Sequence, residues 1–331
     1  MSGTSVMCVM AALVWTTATA RPAAAYHIEP YSAIHEAMTA LAEDCVDRYG
    51  GDEPYDCSGY YAGHLEYYAD LHYHGAVYLR SMSSRWSDDP ERMLRGAGAI
   101  RFGLGYLSCG SRVRNRHGID QVGLLCSMHG GQLSFAQAMR SRTDESYAET
   151  LAAILDWAGF NYQVARGDVS YQRNFCSYLE ERGGPASAAL LDGFQSCGEG
   201  EEGDGGWTVA TLFVQHCSNL ISGCREAHGD EARREMRAAA LGALLHLIQD
   251  SFAQGHVRRT GTGEPFESRI TCLPALEFLD IALQHRHADG DRLQILDESC
   301  ADPATRLVDD PITPLQGCSG CSIGAVRSTR R

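Results

Sequence analysis

A mainly α-helical fold, arranged as a single domain, is the fold class that the sequence predicts. Apolar residues recur at intervals of three and four in several long runs, which is the spacing of one face of a helix. Alternating runs rich in Val, Ile and Thr, which strands require, are nearly absent from the sequence. No Pro-rich or Ser-rich linker divides the sequence, and 331 residues suffice for one full-sized core.

The helical pattern is clearest in five runs, at residues 31–49, 144–165, 207–220, 230–252 and 273–285. In the first run, apolar residues at helical spacing share one face, and two glycines end the pattern. The run at 230–252 is the strongest. It begins with acidic residues, which favour a helix N-terminus, and then becomes rich in Ala and Leu.

The amino-terminal residues 1–25 have the pattern of a secretory signal peptide. An apolar stretch at 9–15 leads into small residues, with Ala-x-Ala sequences at 18–20 and 23–25. The apolar stretch is too short to span a bilayer. The sequence therefore predicts export, to a secreted, periplasmic or cell-surface location.

The folded domain is expected at residues 26–310, followed by a flexible tail rich in Cys and Arg at 311–331. Within the domain, residues 167–206 are interpreted as an insertion that ends in an acidic, Gly-rich loop. Removal of Cys8 with the signal leaves 12 of the 13 cysteines. An even number of cysteines in an exported chain predicts a disulfide-rich protein.

The formal net charge of −14 disfavours any binding that depends on a basic surface. We therefore expect no stable nucleic-acid partner. A nucleic acid can still be a substrate where bound metal ions supply the local positive charge. The charge thus restricts the type of partner without excluding phosphate chemistry.

The most informative stretch is LLHLIQDSFAQGH at residues 244–256, which spaces His246, Asp250 and His256 as H-x3-D-x5-H. His246 and Asp250 are four residues apart, so both project from one face of the predicted helix. The helix is apolar nearly all round, which indicates burial. A buried His–Asp pair alone is also consistent with a structural hydrogen bond. His256 favours a metal site, because Gly255 can end the helix, and imidazole with carboxylate suits zinc.

This stretch resembles the central metal motif of the zinc-dependent phospholipase C family, whose fold is shared with the single-strand-specific zinc nucleases. The resemblance implies a mainly helical, secreted hydrolase, here disulfide-rich and with loop insertions. It also implies up to three bound Zn²⁺ ions and a metal-activated water that cleaves a phosphoric ester.

The same resemblance implies metal ligands outside the motif. The early His of the family matches His35 in YSAIHEAMTALA. The middle His matches His72, with His74 as the competitor. If the signal is cleaved after Ala25, the free amine of Tyr26 becomes a further ligand.

A bridging Asp and a late His–acid pair complete the implied set. Asp56 fits the expected interval before the middle His, and Asp70 is a nearer rival; either would also orient the nucleophile as the catalytic carboxylate. The pair His287 and Asp291 is preferred over His285 and Asp289, because His287 extends an apolar stripe. The implied metal ligands are therefore Tyr26, His35, Asp56, His72, His246, Asp250, His256, His287 and Asp291.

Three functions agree with these residues. The central motif favours a phospholipase C-like enzyme, with a phospholipid or other phosphodiester substrate and transient contact with a membrane surface. The Asp at the late acid position favours a single-strand nuclease or nucleotidase instead. A non-catalytic secreted protein on the same fold is the third reading.

Overall fold

We describe the fold from a computed structural model of the chain. The structure describes residues 35–36, 38–40, 42, 83–93, 102–105, 109, 119, 123–194, 197, 207–216, 225–253, 255–259, 269–270, 275–279 and 295–296.

The described residues are mainly helical, as the sequence predicts. The helices with both ends described are α1 (Leu124–Gly130), α2 (Tyr147–Arg166), α3 (Phe175–Arg182), α4 (Pro185–Gly193), α5 (Val209–Phe213) and α6 (Gly229–Asp250). Two 3-10 turns lie at Ser84–Ser87 and Ser134–Gln137. The short strands are β1 (Gln215–His216), β2 (Arg225–Glu226), β3 (Val257–Arg259), β4 (Arg269–Ile270), β5 (Ala275–Phe278) and β6 (Ile295–Leu296). Residues 35–36, 38–40 and 42 are also helical, and we call them the His35 segment.

Helix α2 begins at a capping box and ends at a glycine. Oγ of Ser146 accepts a hydrogen bond from the N–H of Glu149 at 3.3 Å. The Glu149 carboxylate in turn accepts one from the N–H of Ser146 at 2.8 Å. At the other end Gly167 has φ of +85°, which glycine adopts without steric cost. This helix confirms the prediction for residues 144–165.

Helix α6 carries most of the motif at residues 244–256. Asp230 and Glu231 lie in its first turn, where carboxylates interact favourably with the positive end of the helix dipole. Its second half is largely buried, and it packs against α2 and against the Ser84–Ser87 turn. This helix confirms the prediction for residues 230–252.

An aromatic layer joins the Ser84–Ser87 turn to the hydrophobic core. The Trp86 ring is 4.8 Å from the Phe213 ring and 6.1 Å from the Trp157 ring, measured between centroids. All three side chains are buried in one core cluster. Aromatic packing of this kind adds to the free energy of burial. Trp86 thereby anchors the turn to α2 and α5.

Helices α3 and α4 lie within residues 167–206, the stretch interpreted as an insertion. Their buried side chains, among them Phe175 and Leu190, belong to the same core cluster as those of α2 and α6. The Asp156 carboxylate on α2 accepts hydrogen bonds from two backbone N–H groups in the first turn of α4, at 2.8 and 3.2 Å. The described part of this stretch is therefore packed into the core.

Two disulfide bonds occur among the described residues. Cys109 is joined to Cys126, and Cys176 is joined to Cys197. The second bond links α3 to the residues that follow α4, across 21 positions of sequence. These two bonds confirm part of the predicted disulfide framework.

The helix predicted at residues 273–285 is wrong for its described residues, where the chain forms strand β5. This strand pairs antiparallel with β3, so that Phe278 lies opposite Val257. Both side chains are completely buried. Pairing with the chain that follows His256 overrides the helical spacing of the apolar residues, because it satisfies the backbone groups and buries Phe278.

The helix predicted at residues 207–220 is confirmed only for α5. Thr208 caps this helix, its Oγ1 accepting a hydrogen bond from the N–H of Thr211 at 3.2 Å. At Gln215–His216 the chain forms β1, which pairs antiparallel with β2. The helical pattern thus extended too far, because helical periodicity does not reveal that these residues pair with a strand 9 to 11 positions later.

The predicted signal at 1–25 and the predicted tail at 311–331 lie outside the described residues. Among the helices that the structure describes, none is both long enough and apolar enough to cross a membrane.

Candidate metal centre

Three elements bring two histidines and two aspartates together in the interior. The His35 segment supplies His35, the residue after the Ser84–Ser87 turn supplies Asp88, and α6 supplies His246 and Asp250. All four side chains are at most 3% exposed. Helical spacing explains the α6 pair, because residues four apart lie one above the other on the same face.

Each aspartate faces both imidazole rings. Nε2 of His246 lies 3.0 Å from Oδ2 of Asp250 and 3.7 Å from Oδ1 of Asp88. Nε2 of His35 lies 3.5 Å from Oδ1 of Asp250 and 4.0 Å from Oδ2 of Asp88. The two rings are stacked, with centroids 3.8 Å apart and planes inclined by 21°. The Nε2 atoms therefore point between two carboxylates.

Hydrogen bonds at the opposite ring nitrogens hold the imidazoles in this orientation. Nδ1 of His246 donates to the backbone carbonyl of Ser84 at 2.7 Å. Nδ1 of His35 donates to Oε1 of Gln249. A histidine that binds a metal through one nitrogen usually donates the other N–H to such an acceptor. With Nδ1 held in this way, Nε2 is the nitrogen that each ring directs toward the carboxylates.

His256 lies at the edge of this group. Its Nδ1 is 3.8 Å from Oδ2 of Asp250 and donates to the backbone carbonyl of Gln137. Helix α6 ends at Asp250, and the turns that follow return the chain so that His256 is completely buried. The N–H of Leu279 then donates to the His256 carbonyl at 2.7 Å, which ties this position to β5.

His129 on α1 adjoins the group from the side of Asp88. Its Nε2 is 3.1 Å from the backbone carbonyl of Asp88 and 3.9 Å from Oδ1 of the same residue. The side-chain amide of Gln137 lies 3.2 Å from Nδ1 of His129. The sequence does not single out His129, because no motif spacing links it to its neighbours.

Burial and neighbouring charges separate the pKa values of the His246–Asp250 pair. Burial alone lowers the pKa of His246, but the Asp250 and Asp88 carboxylates outweigh it and raise this pKa to about 9. Burial acts to raise the pKa of Asp250, but His246 and His256 outweigh it and hold this pKa at about 2. Without a metal, this pair is therefore an imidazolium facing a carboxylate at neutral pH.

Asp88, His35 and His129 are neutral at neutral pH when no metal is bound. Burial, with the added repulsion of Asp250 and Glu36, raises the pKa of Asp88 to about 8 although His246 opposes it. Burial and the charge on His246 lower the pKa of His35 to about 3. Burial likewise lowers the pKa of His129 to about 4. A divalent cation that displaced the protons of His246 and Asp88 would leave the net charge of this buried group unchanged.

A buried ion pair stands next to the cluster. Nε of Arg85 is 3.3 Å from Oε1 of Glu36, and these side chains are 7% and 1% exposed. Glu36 follows His35 in the chain, and Arg85 follows Ser84. The pair thus joins the two segments that supply His35 and Asp88 to the cluster.

The donor set fits a metal ion. Within the described part of the chain, Oδ2 of Asp88 and both carboxylate oxygens of Asp250 accept no hydrogen bond. Buried polar atoms normally have a partner, and a bound ion is one explanation when they do not. At zinc–nitrogen and zinc–oxygen distances of about 2.0–2.2 Å, ligand atoms on one tetrahedral ion lie roughly 3.3–3.6 Å apart. The separations of 3.0–4.0 Å around His35 and His246 are close to this value.

The group of His35, Asp88 and His246 can hold a metal ion.

Comparisons of this chain with protein-family models, with curated proteins and with solved structures found no match. The resemblance to the phospholipase C and zinc nuclease type therefore stays a prediction.

The structure brings together four of the predicted site residues, namely His35, His246, Asp250 and His256. The other predicted ligands and catalytic carboxylates lie outside the described residues, namely Tyr26, Asp56, Asp70, His72, His287 and Asp291. The sequence reasoning missed Asp88. The signal for it in the sequence is a pair of adjacent Asp residues directly after a Trp-containing run. A surface loop would also carry such a pair, so the pair alone does not indicate a buried site.

Gly242 lets the Ser84–Ser87 turn approach α6 at the position that the site requires. A Cβ at Gly242 would lie 2.1 Å from the backbone carbon and oxygen of Ser83 and 2.6 Å from the backbone nitrogen of Ser84. Gly242 lies one turn before His246, which donates to the Ser84 carbonyl. The missing side chain thus allows the contact that orients His246.

Replacing Gly242 with Ala is expected to weaken zinc binding by at least about tenfold, the lower end of the effect of disturbing an outer-shell contact. The added methyl group must displace backbone, and with it the Ser84 carbonyl and Asp88. Zinc affinity is measured by competition with a chelator on protein whose helix content matches the wild type by circular dichroism.

Gly193→Ala is the matched control, because its Cβ would lie 1.8 Å from Nε2 of Gln132 and 2.2 Å from Cδ1 of Ile119. This overlap involves two side chains and not the backbone that carries the Ser84 carbonyl. We expect a lower free energy of unfolding and unchanged zinc affinity. Wild-type zinc affinity in Gly242→Ala, or an equal loss in both variants, would contradict the role of Gly242.

Proposed function

We propose that this protein is a secreted, zinc-dependent hydrolase of phosphoric esters that acts on phospholipid headgroups in the manner of a phospholipase C. The observation that supports it most is the pair of buried carboxylates facing the two stacked imidazoles of His35 and His246. A structural hydrogen bond would require one carboxylate and one ring, whereas here His35, Asp88 and His246 place their ligand atoms within 4.8 Å of one another, and Asp250 also faces both rings.

The residues of the chain have separable roles in this proposal. His35 and His246 supply imidazole nitrogens, while Asp88 and Asp250 supply oxygens, and these two ligand types suit zinc. A bound zinc ion would supply Lewis acidity, which polarises a phosphoryl oxygen and lowers the pKa of water. Asp88 and Asp250 each face both rings, so either can hold the proton of an attacking water in a hydrogen bond and orient it.

Electrostatics also support a cation at this point. The carboxylates of Asp88 and Asp250 lie in an interior where each is at most 3% exposed. Without a metal, Asp88 is protonated and Asp250 faces the His246 imidazolium, so both carboxylates can be ionised here only beside a further positive charge. A divalent cation offsets both charges, and the same positive charge attracts the phosphate of a substrate.

Secretion is part of the proposal and has two supports. The first is the signal-like sequence at residues 1–25. The second is the presence of the disulfides Cys109–Cys126 and Cys176–Cys197, since such bonds form and persist chiefly in oxidising compartments.

A single-strand nuclease or nucleotidase is the second candidate, and one sequence feature favours it. In the late pair His287–Asp291 the acid is Asp, as in the zinc nucleases that the chain resembles. The formal charge of −14 favours the lipid substrate over a polyanion. The two candidate functions use the same metal chemistry on a phosphoric ester, and they differ in the rest of the substrate molecule.

The test is a zinc determination followed by two activity assays. The oxidised, exported protein is purified in the presence of zinc, dialysed, and assayed for zinc per chain. Release of phosphocholine from phosphatidylcholine vesicles is then compared with cleavage of single-stranded DNA. At least one zinc per chain and release of phosphocholine are expected.

Each outcome decides between the candidates. DNA cleavage without phosphocholine release would assign the nuclease function. Zinc without either activity would favour a non-catalytic secreted protein. Fewer than one zinc per chain would reject the enzyme altogether.

A further inference from the structure

We propose that Gln249 is a positioning residue that fixes the tautomer of His35, so that its Nε2 carries the lone pair that would bind a metal. The residue lies one position before Asp250 on α6 and is 8% exposed. No motif spacing assigns it a role. The expected effect on metal binding rests on the proposed metal function. The hydrogen bonds from which the role of Gln249 is argued are present without a metal.

The orientation of the Gln249 side-chain amide follows from its surroundings. Its Nε2 lies 3.0 Å from Oγ1 of Thr39 and 3.5 Å from the backbone carbonyl of His35. A backbone carbonyl can only accept a hydrogen bond, so the amide NH₂ must face it. The opposite orientation would place the amide oxygen against that carbonyl. Oε1 is therefore the atom that faces the His35 ring.

The tautomer of His35 follows from the amide orientation. Oε1 of Gln249 can only accept, and it contacts Nδ1 of His35. In a neutral imidazole one nitrogen carries the proton and the other carries the lone pair. Nδ1 is therefore protonated, and the lone pair of Nε2 faces Asp250 at 3.5 Å and Asp88 at 4.0 Å.

Gln249 thus does for His35 what the Ser84 carbonyl does for His246. The two rings are stacked, with centroids 3.8 Å apart. The Nδ1 of each ring donates a hydrogen bond to an oxygen, which belongs to a side chain for His35 and to the backbone for His246. Of these two acceptors only Gln249 can be removed by substitution. It also links the His35 segment to α6, across 214 positions of sequence.

The experiment compares wild type with Gln249→Met, Gln249→Glu and Asn161→Leu. Methionine has a similar length but no hydrogen-bond acceptor of comparable strength. Glutamate keeps an acceptor for Nδ1, and the Thr39 hydroxyl can rotate to donate to its second oxygen, so that only the longer 3.5 Å contact with the His35 carbonyl loses its donor. Asn161 is another buried amide, in α2, where it donates to the Trp157 carbonyl. It is the matched control for removing a buried amide.

Two readouts are used. Nitrogen-15 NMR of the metal-free proteins reports which ring nitrogen of His35 is protonated. Competition with a chelator reports zinc affinity. We expect Nδ1 to be protonated in wild type and in Gln249→Glu, and the other tautomer to appear in Gln249→Met. We expect zinc affinity to fall roughly 10- to 100-fold in Gln249→Met, the usual effect of losing an outer-shell partner. Gln249→Glu and Asn161→Leu should stay close to wild type.

The experiment can reject the metal function and the role of Gln249 independently of each other. If wild type binds no zinc, the metal function is rejected, and the NMR measurement alone decides the role of Gln249. Protonation at Nε2 in metal-free wild type would overturn that role. So would wild-type tautomer and zinc affinity in Gln249→Met, or an equal loss of affinity in Gln249→Glu.

Discussion

Replacing Asp250 with asparagine is expected to remove tight zinc binding and to lower hydrolysis in parallel. Asp250 faces Nε2 of His246 at 3.0 Å and Nε2 of His35 at 3.5 Å, so one carboxylate is shared by both rings. Asparagine keeps the shape and removes the charge. Because Asp250 would bind the metal directly, the loss of affinity should exceed the roughly 10- to 100-fold typical of outer-shell partners.

Asp230→Asn is the matched control for this variant. Asp230 lies in the first turn of the same helix, and its side chain is 78% exposed. Zinc per chain, chelator competition and the rate of ester hydrolysis are measured for both variants. Wild-type zinc content and activity in Asp250→Asn would refute its assignment as a ligand. Normal zinc with lost activity would restrict Asp250 to orienting the attacking water.

Replacing Asp88 with asparagine is expected to have an effect of the same order. Asp88 forms, with His35 and His246, the group of donors that can hold an ion. Its carboxyl is also the one whose pKa burial raises to about 8, so in the metal-free protein it is neutral and asparagine is a close replacement. The metal-free variant should therefore fold as well as wild type, while zinc binding falls more than about 100-fold.

The neighbouring carboxylate provides the control for Asp88. Asp89 is also buried, and its Oδ1 accepts a hydrogen bond from the N–H of Met93 at 2.7 Å. The Oδ1 atom of asparagine can accept the same bond, so Asp89→Asn should keep its zinc. Thermal unfolding of both variants, with and without zinc, measures the effect. If zinc raised the unfolding temperature of Asp88→Asn as much as that of wild type, Asp88 would not be a ligand.

The central helix and its ligands could be predicted from the sequence because their signals are local. Four-residue spacing places His246 and Asp250 on one face, whatever the rest of the fold does. The helix ends at Asp250, before Gly255, and the N–H groups of Ala253 and His256 donate to the carbonyls of Asp250 and Ala253 in the turns that return His256 to the interior. The length of α2 is likewise decided locally, by the capping box at Ser146 and by Gly167.

Asp88 and His129 could not be found in this way, because tertiary packing decides their position. The aromatic contacts of Trp86 hold the Ser84–Ser87 turn to α2 and α5, and the missing side chain of Gly242 lets the turn approach α6. Only this packing brings Asp88 to the histidines. His129 reaches Asp88 across 41 residues of sequence, and no periodicity encodes that distance.

Strand β5 illustrates the same limit for the fold. The residues of Ala275–Phe278 have apolar spacing that suits a helix, but β3 offers the backbone partners of an antiparallel pair. The pairing exists because the chain leaves His256 in an extended conformation. Long-range pairing of this kind overrides local propensity.

The most direct test of the account is to identify the atoms that bind zinc in the wild-type protein. Zinc per chain is determined on oxidised, zinc-supplemented protein, and X-ray absorption at the zinc edge then gives the type and distance of the ligands. We expect at least one zinc per chain, bound by nitrogen and oxygen atoms at about 2.0–2.2 Å. Fewer than one zinc per chain, or sulfur ligands at about 2.3 Å, would contradict a site built from His35, Asp88, His246 and Asp250.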